Sequence, residues 1–426
     1  MKESGIDWIG QIPEEWEVKG IKHIFEEIGS GTTPKSDNET FYDGDINWIQ
    51  SGDLYQTDEV IKVSKTITYQ GFQSTSALKI YQQPFIALAM YGASVGNVAI
   101  SCIDACVNQA VVVMLGTSEK VRFGKYAIEA SKNNLIFSAQ GGTQPNISQN
   151  LIKNWNIPQP DSSEQTKIAD FLDKKTAQLD KVKALLEEQI QKLKDYRASL
   201  IYETVTKGLD KTVPVKDSGI DWIGQVPQGW GVKPLKYLAS YDDETLTQSE
   251  INSNQKINYV DIGAVEFTKG INSYQEISMS EAPSRARKIA KKGDTIISTV
   301  RTYLKAIAYV NDDYIVSTGF CVVRPKKVNS KYLNYAIMSD SFTGPVSKYA
   351  WGVSYPAISS SQLVNIPIPF PESIEEQLSI VDYLDHKMLQ INQLIDIKQE
   401  QIDNINKQRQ TLIYDYVTGK RRGKEI

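Results

Sequence analysis

The sequence has little with which to do chemistry. Three cysteines, Cys102, Cys106 and Cys321, are too few and too scattered for a disulfide framework, which fits a reducing, cytoplasmic setting. Two histidines, His23 and His386, leave no ligand set at zinc spacing, so no metal site is expected. Purely apolar runs such as 110–115 are far shorter than the roughly 20 residues of a membrane span and too short for a signal-peptide core. There is no G-x-x-x-x-G-K-[ST] phosphate loop, no G-x-G-x-x-G and no H-E-x-x-H. The (N/D)-P-P-(Y/F) tetrapeptide of amino-methyltransferases, which would hold a flipped base, is also missing. Asp43 and Asp45 flank a glycine in FYDGDINW, where acids serve turns. Together these absences point to a chain that binds and does not catalyse.

What is present is size and repetition. At 426 residues and 47.8 kDa, with 41% hydrophobic residues, the chain exceeds one ordinary domain and can bury real cores. Residues 164–206 read EQTKIADFLDKKTAQLDKVKALLEEQIQKLKDYRASLIYETVT, without Pro or Gly. Leu172, Leu179, Leu186, Leu193 and Leu200 recur every seven residues, which places one apolar ridge on a continuous helix. Ile168, Val182 and Tyr196 take the partner positions of that heptad, and Lys175 and Gln189 interrupt it. A shift of 212 residues gives the segment 376–418, whose ridge is Leu384, Ile391, Lys398, Ile405 and Leu412. At a rise of about 1.5 Å per residue each helix runs about 65 Å, so each needs a long partner. The other copy supplies it, and the two are expected to pair antiparallel within the chain.

The repeat extends to the whole chain. Residues 3–22, ESGIDWIGQIPEEWEVKGIK, return at 217–236 as DSGIDWIGQVPQGWGVKPLK, an extended connector pinned by two tryptophans. Short β-branched runs follow in each half, FIALAM, VAISCI and VVVML in the first and DTIISTV, AIAYV and FCVVRP in the second. A helical stretch containing Tyr-Ala-Ile and then Asn-Ile-Pro comes next, repeated at a shift of 209. The expected fold is therefore α+β: two pseudo-symmetric mixed α/β globules and a pair of long antiparallel helices forming an intramolecular coiled coil. The expected division is 1–160 for the first globule with its connector, 161–213 for the first helix, 214–371 for the second globule, and 372–426 for the second helix. Two equivalent halves paired this way form a cyclic arrangement, with the N-terminal connector beside the C-terminal end of the second helix.

The formal net charge of −4 and pI near 5.6 give no global basic footprint. Locally there is one. Residues 284–305, SRARKIAKKGDTIISTVRTYLK, hold Arg285, Arg287, Lys288, Lys291, Lys292, Arg301 and Lys305 against the single acid Asp294. Arg301 is the candidate base reader, because a guanidinium can bond guanine O6 and N7 together. Tyr303 of the same RTYLK stretch, and Ser354 and Tyr355 of WGVSYPAIS, are further candidates for DNA contact. The first globule has fewer cations, leaving Lys35, Lys62 and Lys65 with the neutral donors Tyr91 and Ser94 of MYGASVGN and Thr143, Gln144 and Asn146 of GGTQPNIS.

With the twofold repeat, SGIDWIGQIPEEW and SGIDWIGQVPQGW, SGTTPKSDNETFYDGDINWIQSGDL, YGASVGN, GTQPNIS and the EQ-x-x-I-x-x-(F/Y)-LD helix starts, the chain resembles the DNA-specificity (S, HsdS) subunits of type I restriction-modification systems. The resemblance implies that the globules are target-recognition domains, each reading one half of a split sequence in double-stranded DNA, and that the helices set the gap. It implies a subunit without catalysis, assembled with two adenine-methyltransferase subunits and with motor and nuclease subunits. S-adenosylmethionine, ATP and Mg²⁺ then belong to those partners and not to this chain. If partners supply phosphate contacts, an acidic chain can still specify sequence, and the isolated chain is expected to bind DNA weakly. The competing readings are a bivalent coiled-coil adaptor that binds no DNA and a transcription regulator with two DNA heads.

Overall fold

The computed structural model describes residues 1–139 and 145–421. Four helices carry the architecture: α1 (Ser118–Ala130), α2 (Ser162–Lys207), α3 (Ser330–Met338) and α4 (Ile374–Val417). The chain folds into two compact units, Met1–Leu186 with Glu400–Ile426, and Glu187–Gln399. Each unit thus holds one globule and part of each long helix, so the units are cut within the helices and not at their ends.

In the first unit, strand Val111–Leu115 lies between Glu27–Ser30 and Phe85–Ala89, followed outward by Val98–Ser101 and Glu59–Val60; only the last pair is parallel. VVVML lacks a polar face because both sides of this sheet are covered. Val112 and Met114 join the cluster under α1, and Val111 and Val113 join the cluster on the opposite face, the period-two alternation of a strand. The second unit repeats the device with Ala239–Tyr241, Phe320–Pro325, Thr295–Ser298 and Ile307–Tyr309. Cys321 and Val323 face α3, while Phe320 and Val322 face away.

The repeated motifs do the same job twice. Trp16 Nε1 donates to Glu164 Oε2 at 2.8 Å, and Trp230 Nε1 to Glu376 Oε1 at 3.0 Å, which ties each connector to the start of a long helix. The Asn-Ile-Pro strands Asn156–Gln159 and Pro367–Pro371 pair antiparallel with Glu17–Gly20 and Trp230–Pro234. Asp161 and Ser373 side chains accept backbone N–H groups of Glu164 and Glu376, capping α2 and α4. Gly208 and Gly419, at φ +68° and +69°, end them in the left-handed conformation that glycine adopts without steric cost. Tyr414 Oη donates to the Ile9 carbonyl at 3.3 Å, as Tyr202 Oη does to that of Ile223 at 3.4 Å. The expected closure of the N-terminal connector onto the end of the second helix is present.

The helices run antiparallel in both units, because partners fall in number along α4 as they rise along α2. In the first unit Phe171 packs on Tyr416, with ring centroids 4.4 Å apart, and Arg409 lies 3.6 Å from Asp180. In the second, Lys398 Nζ donates to Gln189 Oε1 at 2.5 Å and Arg197 donates to Asn392 Oδ1 at 2.7 Å. The interruptions Gln189 and Lys398 therefore satisfy each other. Leu172, Leu384 and Ile391 are buried, and Leu179, Leu186, Leu193, Leu200, Ile405 and Leu412 are half-buried, so the ridge is real. Its partner positions differ from the sequence expectation. Val182 and Tyr196 are 46% and 52% exposed. The second row lies four residues after each ridge position: Thr176, Ile190, Met388, Ile402 and Tyr416 are buried, with Arg197 and Arg409 half-buried between them. Each fully buried aliphatic or aromatic side chain contributes about 1.5–3 kcal/mol, and the polar members soften the seam.

Candidate nucleic-acid interface

In the second globule, the hairpin between Thr295–Ser298 and Ile307–Tyr309 turns through Arg301 and Lys305. Both residues are left-handed, at φ +50° and +47°. The equivalent hairpin of the first globule joins Phe85–Ala89 to Val98–Ser101, and a shift of 209 places Gly92 (φ +86°) and Gly96 (φ +75°) at those corners. The backbone bonds repeat as well. Met90 N donates to Ala110 O and Thr299 N to Gly319 O at the sheet edge, and Ile147 N to Met90 O and Ile358 N to Thr299 O from the second loop. One backbone frame thus carries glycines in one half, and arginine and lysine in the other. A left-handed residue with a side chain costs about 1–2 kcal/mol, and such strain collects at functional positions.

The Arg301 guanidinium sits 4.9 Å from the Tyr355 ring centroid, and the Arg301 N–H donates to Pro356 O at 2.8 Å. Tyr303, Ser354, Tyr355, Trp351 and Val353 are exposed around it, so the corner offers a planar cation among aromatic surfaces. Arg301, Tyr355 and Arg285 line one open cleft of about 1360 Å³ together with Lys194 and Arg197 of α2, which sequence reasoning did not select. Nothing in the heptad marked those two as facing a cleft.

The other sequence candidates divide. Arg285 is exposed; its hydrogen bond to Tyr259 Oη and its ion pair with Asp261 at 2.6 Å raise its pKa further. Arg287 bonds the Ala286 carbonyl. Lys288 is turned inward, paired with Asp242 at 2.7 Å and donating to Phe320 O, so it holds strands together and is not displayed. Lys291 pairs with Glu244, and Lys305 with Asp340. Four of the seven cations counted along the run, Arg285, Lys288, Lys291 and Lys305, are thus paired with acids from elsewhere in the globule. In the first globule Lys35, Lys65 and Asn146 are exposed, and Tyr91 is half-buried. Thr143 and Gln144 lie outside the described residues. Ser94, only 6% exposed, sits in GASVG, which has the G-x-S-x-G spacing of a nucleophile elbow. An elbow joins a strand to a helix, whereas this serine lies in a strand-to-strand hairpin.

At the helix pair the first unit holds a charged network. Arg409 pairs with Glu129, with Asp58 at 2.7 Å and with Asp180, while buried Lys125 reaches Asp58 at 2.5 Å and Glu129 at 2.8 Å. Burial works to raise the Asp58 pKa, but Lys125 and Arg409 outweigh it and hold the carboxyl below its ordinary value. Burial raises that of Asp180, which acts in the opposite sense. A depressed carboxyl stabilises the fold above the unfolded value of about 3.9 and loses that contribution as pH falls through its folded value. Denaturant unfolding from pH 6 to pH 3 should therefore show a loss below about pH 4 that Asp58→Asn reduces; an identical pH profile for the variant would rule this out.

Comparison with known proteins gives one consistent picture. The family described as "Type I restriction modification DNA specificity domain" matches residues 13–194 and 227–407. The type I restriction enzyme MjaVIII specificity subunit of Methanocaldococcus jannaschii is 23% identical, covering 98% of this chain and 95% of its own. The putative MjaX specificity subunit of the same organism is 25% identical, covering 98% and 96%. Among solved structures, one described under complex assembly and conformational transition of the type I R-M system shares the fold with a TM-score of 0.69 at 18% identity, covering 96% of this chain and 98% of that one. The HsdS subunit from Thermoanaerobacter tengcongensis gives a TM-score of 0.51 at 19% identity, covering 98% and 100%.

Proposed function

Because this chain belongs to the type I restriction modification DNA specificity family, with two copies of its domain, we propose that each globule reads one half of a split DNA target and that the helix pair fixes the gap. The observation that carries the reading is the shared hairpin frame with different corners, Gly92 and Gly96 in one globule, Arg301 and Lys305 in the other. Two readers built on one backbone but dressed with different side chains are what an asymmetric pair of half-sites requires. Arg301 is the base-reading residue of the second globule, and Tyr91 and Asn146 are its neutral counterparts in the first.

Two methyltransferase subunits dock on the long helices in this reading. Val182 and Leu185 on α2 and Leu394 and Ile397 on α4 are exposed, and the 212-residue shift makes the two pairs equivalent. Equivalent apolar pairs outside the seam suit two copies of one partner. S-adenosylmethionine is then held by those methyltransferases, and ATP and Mg²⁺ by motor and nuclease subunits.

The test is to express the chain with its cognate methyltransferase in a host lacking other modification and to sequence the modified genome. A single split motif methylated on adenine is expected. Methylation no different from the methyltransferase alone would overturn the assignment.

A further inference from the structure

The two units carry equivalent clefts beside the helix pair, and their charges differ. In the first unit the cleft, about 680 Å³, is lined by Asp58, Glu129 and Asp180 against Lys132, Lys183 and Arg409, a balance of zero. In the second, about 1360 Å³, the lining has Lys194, Arg197, Lys269, Arg285 and Arg301 against Asp261, Glu266 and Asp396, a surplus of two positive charges. The 212-residue shift equates Arg197 with Arg409 and Asn392 with Asp180, and the 209-residue shift equates Met338 with Glu129. Each carboxylate that neutralises Arg409 from those positions is therefore replaced in the second unit by a group without charge.

What remains around Arg197 is sparse. Its hydrogen bond among the described residues goes to the neutral Asn392 amide at 2.7 Å. Arg285 is occupied by Asp261 at 2.6 Å and Lys269 by Glu266 at 3.2 Å, which leaves Arg197, Lys194 and Arg301 to face the cleft with Asp396 as the remaining acid. Burial lowers the pKa of Arg197, and only Glu266 opposes it. A half-buried guanidinium that forms no ion pair among the described residues, with Glu266 already paired to Lys269, is costly, and the first half of the same chain shows that a carboxylate can be built at this place.

We infer that the cleft of the second unit is a phosphodiester site, in which Arg197 and Lys194 of the long helix hold the backbone of the DNA whose bases meet Arg301. This rests on the DNA-recognition reading above. The open volume and the continuity of the lining from Arg197 to Arg301 and Tyr355 favour a nucleic-acid strand over an acidic protein segment. The helix is then part of the reader and not only a spacer, and the two half-sites draw unequally on phosphate contacts.

Salt dependence is the discriminating measurement, since each phosphate neutralised adds about 0.9 to the slope of log affinity against log salt. The full chain complexed with its methyltransferase is titrated with a duplex carrying the split motif and with an unrelated duplex, across about 50–200 mM salt. Arg197→Ala should lower the slope by about 0.9 and weaken both duplexes equally, because a phosphate contact carries no sequence information. Asn392→Asp should do the same while adding a partner for Arg197, so a loss of binding there cannot be blamed on misfolding. Arg409→Gln, in the neutral cleft, should leave the slope alone. Slopes equal to wild type for Arg197→Ala and Asn392→Asp overturn the inference, as does loss of methyltransferase assembly with DNA binding intact in the assembled fraction. Absence of specific binding by the wild-type complex would instead defeat the DNA-recognition reading itself.

Discussion

Repeating one heptad in each long helix, residues 185–191 in α2 and 397–403 in α4, is expected to widen the gap between recognised half-sites by up to about three base pairs and to leave the bases of each half unchanged. Seven residues add about 10 Å of helix, and one base pair advances about 3.4 Å. The two insertions face each other, because Gln189 bonds Lys398 within the repeated segments, so the seam gains a matched layer and no slip. Ridge spacing is preserved, and the helix phase drifts by only about 20° per heptad. Neither globule, neither cleft and neither exposed apolar pair is removed. Genome-wide sequencing of methylated adenines reads both quantities at once. An unchanged gap would show that the helix pair does not set spacing, and altered bases would show that the globules do not read independently.

The repeat and the helices were legible because they are written in features that local chemistry dictates. A leucine every seven residues means one helical face whatever else the chain does, and the connector, the Asn-Ile-Pro strand and the Glu-Gln helix start recur in one order. The second row of the seam was not legible. Thr176, Lys183, Arg197 and Arg409 occupy it as often as Ile190 or Ile402, so apolar periodicity pointed to Val182 and Tyr196, which are exposed. An arginine at such a place is acceptable because a partner far along the chain satisfies it. Glu129 does so for Arg409 across 280 residues, and no local pattern announces that.

The basic run failed for a related reason. Charges counted along 284–305 cannot register that Lys288 meets Asp242, that Lys291 meets Glu244, or that Arg324 closes the group on Glu244 and Asp294 at 2.8 Å. Asp242 and Glu244 come from the loop after strand Ala239–Tyr241 of the same globule, and only Asp294 lies within the run. Within the run Arg287, Lys292 and Arg301 keep no ion pair among the described residues, and of these Arg301 stands at the corner, where Arg197 and Lys194 of the helix line the same cleft. Of Arg301, Arg197 and Lys194, only Arg301 carried a signal in the sequence, and the stronger signal was hidden: Gly92 and Gly96 in YGASVGN align with Arg301 and Lys305 once the 209-residue shift is applied.

That alignment yields the sharpest substitution. Arg301→Gly should collapse discrimination at one base pair of the second half-site by about 5- to 150-fold, the 1–3 kcal/mol of a bidentate arginine–guanine contact, while folding stability stays constant or rises. The stability expectation follows from the backbone. Arg301 sits at φ +50°, where a side chain costs about 1–2 kcal/mol, whereas glycine there costs only about 0.5–1 kcal/mol of extra chain entropy. The first globule already uses glycine at this corner, with the flanking backbone bonds of Met90 matching those of Thr299. Loss of function by misfolding predicts the opposite pairing, lower stability with weaker binding to every sequence. Melting of the purified chain and methylation profiling of the variant complex separate the two. If the methylated motif keeps full stringency at every position of the second half-site, Arg301 is not a base reader, and the left-handed arginine serves the Tyr355 stack alone.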